Sequence, residues 1–303
     1  YSMQDVETAS LLAVFLFFIV VLFFSLERFF NSRYNFNYKP NTKKFKSEDP
    51  LFSKKLVIHL MCLIPILLGF IIPILFIIGN VVYEFDRIDF EKVLDLTSNT
   101  FIVSLIASSV IIFIAVYFQF LKRIIKNKIL TVFNEAISLT YALPGAVIGL
   151  SLIIMFTSFP LKSEFLIGSF IVLIYAYVIR YMAVGISPLK SSFEKHPSSY
   201  DDTAVNLGMG PLKLFKSIHL PINKSAIAIA FLITFVDIIK ELPITLILRP
   251  FNFDTLAVQT YEYAIEEMIP KSSIYSLTIV MMGIILLIFL KKIVNKEIDV
   301  SRD

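Results

Sequence analysis

Followed as a pattern of apolar and polar positions, the chain alternates long apolar runs with polar interruptions. A bilayer core of about 30 Å is crossed by roughly 20 residues of helix. Seven runs approach or exceed that length: Ala9 to Leu26, Leu56 to Val82, Phe101 to Leu121, Ala136 to Phe156, Phe165 to Ile186, Ala226 to Leu248 and Ile274 to Leu290. The pattern predicts an all-α polytopic membrane protein with about seven transmembrane helices. One interruption differs from the rest, SSYDDTAVNLGMGPLKLFKSIHLPINKS at 198–225, because it carries helix signals of its own.

Composition agrees with the pattern. Hydrophobic residues make up 57% of the 303-residue chain and charged residues 17%, where soluble domains carry about 25% charged residues; mean hydropathy is +0.78. The expected surroundings are a lipid bilayer, with no nucleic-acid partner. Trp is absent, which leaves interfacial anchoring to Tyr, Lys and Arg. The one cysteine, Cys62, lies in an apolar run and excludes an intrachain disulfide or a cysteine-based metal site; core packing is its expected role.

Charge between the runs predicts orientation, since short loops rich in Lys and Arg stay on the cytoplasmic side. Residues 27–55 form a basic linker, with Arg28, Arg33, Lys39, Lys43 and Lys44 among its cations. Lys122 and Arg123 follow the third run, Lys190 to Lys224 stud the long polar interruption, and Lys291, Lys292 and Lys296 follow the last run. With alternating spans all of these share one side, while Asp86, Asp89, the short SFPLKSE turn, Asp254, Glu262, Glu266 and Glu267 share the other. The amino terminus is expected outside and the carboxy terminus inside. The opening YSMQDVETAS enters a span with no initiator Met, basic n-region or cleavage site, and is expected to lack sequence upstream.

In the polar interruption, Ser198 and Ser199 each precede an acid by three residues, Asp201 and Asp202. This is capping-box spacing in an acidic variant, and acids in a first turn suit the helix dipole. Gly208 offers a left-handed helix end, and Pro211 the first position of a second helix. That helix is expected to set Leu212, Phe215 and Ile218 on one side and to stop at Pro221.

The same residues carry a resemblance. Asp202-Thr203-Ala204, three residues, Gly208, nine residues, Ile218, one residue, Leu220-Pro221 resembles the EAA loop of ABC-transporter permeases, with Asp202 where Glu is usual and Thr203 where Ala is usual. The resemblance implies that this loop is a coupling helix that docks on a separate ATPase subunit dimer. Asp201, Asp202, Thr203 and Ala204 would lie in the docking helix, with a small Ala204 allowing close approach and the acids meeting a basic rim. Gly208 would allow the bend, and Ile218, Leu220 and Pro221 would set the second helix against the bundle. No Gly-x-x-x-x-Gly-Lys-Ser/Thr phosphate loop occurs in the sequence. The chain is therefore expected to be a transport subunit rather than an enzyme, to bind no cofactor itself, and to depend on ATP bound by its partner.

A second block, FVDIIKELPITLILRPFNFDTLAVQTYEYAIEE at 235–267, places Asp237, Lys240 and Glu241 in an apolar run ahead of Pro243. Charges at such depth mark function by default, and the proline predicts a discontinuous helix. These four residues are candidates for the translocation pathway or its gate; a charge pair that merely holds helices together is the alternative. With YALPGAVIGL at 141–150, where Pro144 and Gly145 relax the helix, the block is similar to the ferric-iron uptake branch of the permeases. The resemblance implies a bacterial inner-membrane permease fed by a periplasmic binding protein. It places an ABC type-1 core at 97–291, with the coupling loop at 198–221. It also implies that residues 1–26 end a preceding half, 27–55 link the halves, 56–96 hold a span and an outer loop, and 292–303 form a tail. One loop calls for a missing amino-terminal half or a second permease copy.

Substrate is less determined than family, since thiamine, phosphonate, polyamine and sulfate permeases share the fold. Tyr261, Glu262, Tyr263, Glu266 and Glu267 offer oxygen donors, yet without a defined cage they suit a solvated docking loop better than a metal site. His59, His196 and His219 are too scattered for a site. A secondary transporter would use the intramembrane charges for ion coupling but would not explain the loop spacing, and no nucleophile or metal set suggests an intramembrane enzyme.

Overall fold

The computed structural model describes residues 52–125, 127–158 and 168–300 together with part of 11–26. Residues 1–10, part of the first expected span, nearly all of the basic linker, most of the SFPLKSE turn and the last three residues lie outside them. Among the described residues there is no strand. Helices α1 (Phe52–Ile66) and α2 (Ile72–Tyr83) are joined by a π-helical turn, Leu67–Ile71. Then come α3 (Phe90–Ile125), α4 (Lys128–Thr140), α5 (Gly145–Ser158) and α6 (Phe170–Lys195). The loop unit contains α7 (Ser199–Asn206), α8 (Pro211–Leu214), a second π turn (Phe215–His219) and α9 (Leu220–Ile222). Helices α10 (Lys224–Ile239), α11 (Pro243–Leu248), α12 (Leu256–Ile265) and α13 (Ile269–Val300) complete the chain.

Helix α3 is the axis of the bundle. Its 36 residues rise through roughly 54 Å, well beyond the hydrocarbon core, so its last turn, with Lys122 and Arg123, stands outside the apolar zone. The buried positions Thr100, Ser104, Ala107, Ile111, Ala115 and Gln119 recur every three or four residues and lie on one face. Small side chains there admit α6 closely: a Cβ on Gly185 would stand 2.8 Å from Ile111 Cγ2. Lipid tails are as apolar as leucine, so close packing of this sort, rather than water exclusion, holds membrane helices together. Helices α3, α6 and α10 form the core, α11 packs on α5, and α13 packs on α2, α10 and α12.

Four helices are individually long and apolar enough to cross a membrane, and six spans result if each of two bent pairs counts as one. These six correspond to the second through seventh expected runs. Two expectations need correction. Ala136 to Phe156 is not one straight span: α4 and α5 meet at 110° across Tyr141–Pro144, because proline in the fourth position breaks the ladder and Gly145 starts a new direction. Cys62 is exposed rather than packed, since no residue from 55 to 83 is buried in this chain.

Both π turns stand two residues before a proline, Pro73 and Pro221. A proline ring collides with the carbonyl four residues back, and a wider turn relieves that collision. Leu220 N–H accordingly donates to Phe215 O, five residues back. The expected helix end at Pro221 is thus displaced: the helix absorbs the proline, ends at Ile222, and bends 72° into α10.

Candidate functional site

The loop unit is a bent helix pair, as its sequence predicts, and its hinge is Gly208. There φ is +78°, a conformation in which a side chain is strained and glycine is not. Met209 N–H closes back on Ala204 O at 3.0 Å, the wide bond that terminates a Schellman-type helix end. The start of α7 departs from expectation. Ser198 is itself in helical geometry and its side chain makes no capping bond, and the first of the two acids has a different partner.

That partner is Arg123, at the end of α3. Its Nε donates to Asp201 Oδ2 at 2.6 Å, while Nη1 reaches the carbonyls of Phe193 and of His196 (3.0 Å) and Nη2 reaches Pro197 O at 2.8 Å. One guanidinium thereby binds the exposed carbonyls at the end of α6 and the first turn of α7, a use that suits its planar fork of donors. Asp201 Oδ1 lies 2.8 Å from His219 Nε2 in the second limb. A carboxylate only accepts, so Nε2 carries the hydrogen. The His219 ring stacks on Phe193 and stands edge-on to Phe120. Burial pushes its pKa below the ordinary value, against the opposing pull of Asp201.

Ala204 is 3% exposed and packs with Phe120, Phe193 and Leu214 of this chain. The expectation that it leaves room for a partner's approach is corrected: it leaves room for the chain's own helices. Asp201 is likewise turned inward. Asp202 and Thr203 face outward, beside exposed Val205, Leu207 and Leu212. Leu212 therefore departs from the expected inner row; Leu214 takes its place, with Phe215 and Ile218 packed beside it. Leu220 packs on the main core, and Pro221 is exposed.

The second set of candidates divides in two. Asp237 and Lys240 pair at 2.9 Å, with the Lys240 side chain 62% exposed. Asp237 lines an open groove of about 450 Å³ together with Ser138, Tyr141 and Ser187 among others. Glu241 turns the other way and is 5% exposed. It accepts hydrogen bonds from the Tyr181 hydroxyl and from Ile244 N–H (3.1 Å), with Arg180 Nε 3.4 Å away. Pro243 opens α11 after a break at Lys240–Leu242, the expected discontinuity.

Arg180 also donates to Leu143 O, inside the break between α4 and α5. Arg180 and Glu241 therefore join two interrupted helices deep in the bundle. Gly145 fits beneath this junction, where a Cβ would meet Glu241 Oε1 at 2.8 Å. Arg180 and Tyr181 were not singled out from sequence, and Arg123 was noted there only for orientation. Arg180 had a usable signal: it is the lone charge in the run 165–186.

At the other end of α10 and α11, Arg249 pairs with Asp254 and, at 2.8 Å, with Glu262. Tyr263 stacks on Tyr275, and its hydroxyl accepts from Lys92 Nζ at 3.4 Å. Two of the possible oxygen donors are thus engaged internally, and among the described residues no group of three or more His, Cys, Asp or Glu side chains is placed to hold a metal.

An all-helical bundle with interrupted helices and an EAA-spaced helix pair resembles one class of protein, the ABC-transporter permeases. Comparison with known proteins supports that class. The chain is 27% identical over 205 residues to the Fe(3+)-transport system permease protein FbpB 2 of Haemophilus influenzae, covering 67% of this chain and 40% of that protein. It is 33% identical over 91 residues to the maltose/maltodextrin transport system permease protein MalG of Escherichia coli K12, covering 30% of each chain. The corresponding MalG of Photorhabdus laumondii is 32% identical over 91 residues. The chain thus spans well under half the length of the relatives it matches, and the likeness to the ferric-iron permease extends over more of it. No family model matches the chain.

Proposed function

We propose that the chain is the membrane-spanning part of an ATP-driven importer. The observation that carries this reading is the loop unit: a rigid helix pair, tied to two long membrane helices, that presents Asp202, Thr203, Val205, Leu207 and Leu212 outward. An apolar centre beside a charged residue is the anatomy of a protein docking surface. An ATPase subunit dimer supplies ATP binding and hydrolysis, and the loop carries its motion to α3 and α6. In this reading the loop and the carboxy terminus face the cytoplasm across a bacterial inner membrane, which is supported by the Lys- and Arg-rich segments that adjoin them.

The translocated substrate is ferric iron delivered by a periplasmic binding protein, a reading that rests on the FbpB likeness and on motifs distributed over 141–264. A second permease module, in the same or another chain, completes the pathway. The MalG likeness keeps other small solutes as the second reading. Co-purification tests the loop: Asp202→Lys should lose the ATPase subunit while membrane insertion is retained, and unchanged co-purification would remove Asp202 from the interface.

A further inference from the structure

We infer that the two adjacent acids divide the work of the loop. Asp202 faces the docking partner, and Asp201 is a positioning residue, a strut that locks the docking helix to the membrane helices so that motion is transmitted rather than absorbed. The inference rests on the proposed docking role of the loop.

The argument begins with the weakness of α7. It has eight residues, too few to be stable alone, and its Ser198 gives no side-chain cap. A push on its outer face would rotate or fray it unless tertiary bonds hold it. Those bonds converge on one carboxylate. Oδ2 takes Arg123 Nε from α3 at 2.6 Å, and Oδ1 takes His219 Nε2 from the second limb at 2.8 Å. Arg123 in turn binds the end of α6 through three carbonyls. The side chains of Arg123 and Asp201 are 13% and 14% exposed, enough shielding from water for a charge-assisted bond to be strong. The covalent links between α7 and its neighbours are the 196–198 turn and the Gly208 hinge; beside the packing of Ala204 on Phe120, the directional, charge-assisted path from the docking face to α3 passes through Asp201.

The test uses the whole transporter, with variants Asp201→Asn, Asp201→Glu, Arg123→Lys and, for contrast, Asp202→Asn. Asp201→Asn should keep the ATPase subunit bound and hydrolysing ATP, while substrate moved per ATP falls roughly ten-fold, the effect of one charge-assisted bond. Asp201→Glu should restore part of that ratio, since it keeps the charge; Arg123→Lys should fall between, because it retains the charge but not the fork. A second readout is independent of the ATPase. With Cys62 replaced by Ser, spin labels at Val205 and Ile125 should give a narrow distance distribution in the native background. It should broaden in Asp201→Asn and Arg123→Lys and remain narrow in Asp202→Asn. An unchanged distribution and coupling ratio in Asp201→Asn, or loss of the ATPase subunit there, would overturn the assignment. Failure of the native chain to bind any ATPase would instead overturn the docking role, and the label distances would still decide whether Asp201 is a strut.

Discussion

Two arginines do similar work at different depths. Arg123 joins the ends of α3 and α6 to the loop through Asp201; Arg180 joins two helix breaks within the membrane through Glu241 and Leu143 O. Each grips a carboxylate of one segment and a carbonyl of another. The difference lies in solvent. Near the loop, the Asp201 side chain is 14% exposed and keeps a second partner in His219 if Arg123 is lost. At the breaks Glu241 is 5% exposed, and a charge left there without its cation is costly. The deeper junction should therefore be the more fragile, and the outer one the more mechanical.

The comparison is most readily broken by Arg180→Ala, which leaves Glu241 with hydrogen bonds from Tyr181 and Ile244 but no cation. It should destabilise the protein by about 3–5 kcal/mol, read as a large loss of thermal stability in detergent; a loss no greater than that of Arg123→Ala would erase the contrast. Gly145→Ala tests the same junction sterically. Its Cβ would press on Glu241 Oε1, 2.8 Å away, at a cost of about 1–3 kcal/mol, and Glu241→Ala in the same chain should relieve part of it.

The loop side gives smaller effects. Gly208→Val places a β-branched residue at φ +78°, costing about 1–2 kcal/mol, and should uncouple transport while insertion is preserved. Nothing lies within 4 Å of a Cβ there, so Gly208→Asn, which tolerates that backbone, should be nearly silent. Normal transport by Gly208→Val would remove the hinge from the coupling route. His219 adds a pH test. Its pKa is lowered in the folded loop by burial, so the folded loop takes up a proton less readily than the unfolded chain. Loop stability should be level above pH about 6.5 and fall as pH drops below it. Asp201 opposes the shift, and Arg123 and His196, which also face the ring, favour it. Hydrogen exchange across 199–222 reads this directly, and a profile flat to pH 5 would refute it. Smallest of all, Lys240→Met breaks a pair whose lysine side chain is 62% exposed and should alter stability by about 1 kcal/mol or less.

The same contrast explains what could be read from sequence. Gly208 and Pro243 were legible because backbone chemistry is local: a left-handed turn favours glycine and a proline interrupts the ladder wherever it stands. The spacing of the loop was legible for the same reason. Asp201 turning inward was not, because its partner Arg123 lies 78 residues away and an acid in a first turn looks alike whether it faces in or out. Ala204 deceived similarly, since a small residue permits approach from either side. The 110° bend at Tyr141–Pro144 escaped because hydropathy records depth preference and not direction. Arg180 was visible as a lone charge in an apolar run, and only its partners were hidden.

The central claim is that work enters through the loop from a separate ATPase. It is tested most directly by substrate uptake into proteoliposomes containing the complete transport unit and a ferric-loaded binding protein. Uptake should require ATP and the ATPase subunit and should continue when ionophores collapse all ion gradients. Uptake driven by an ion gradient, with neither ATP nor an ATPase present, would contradict the account.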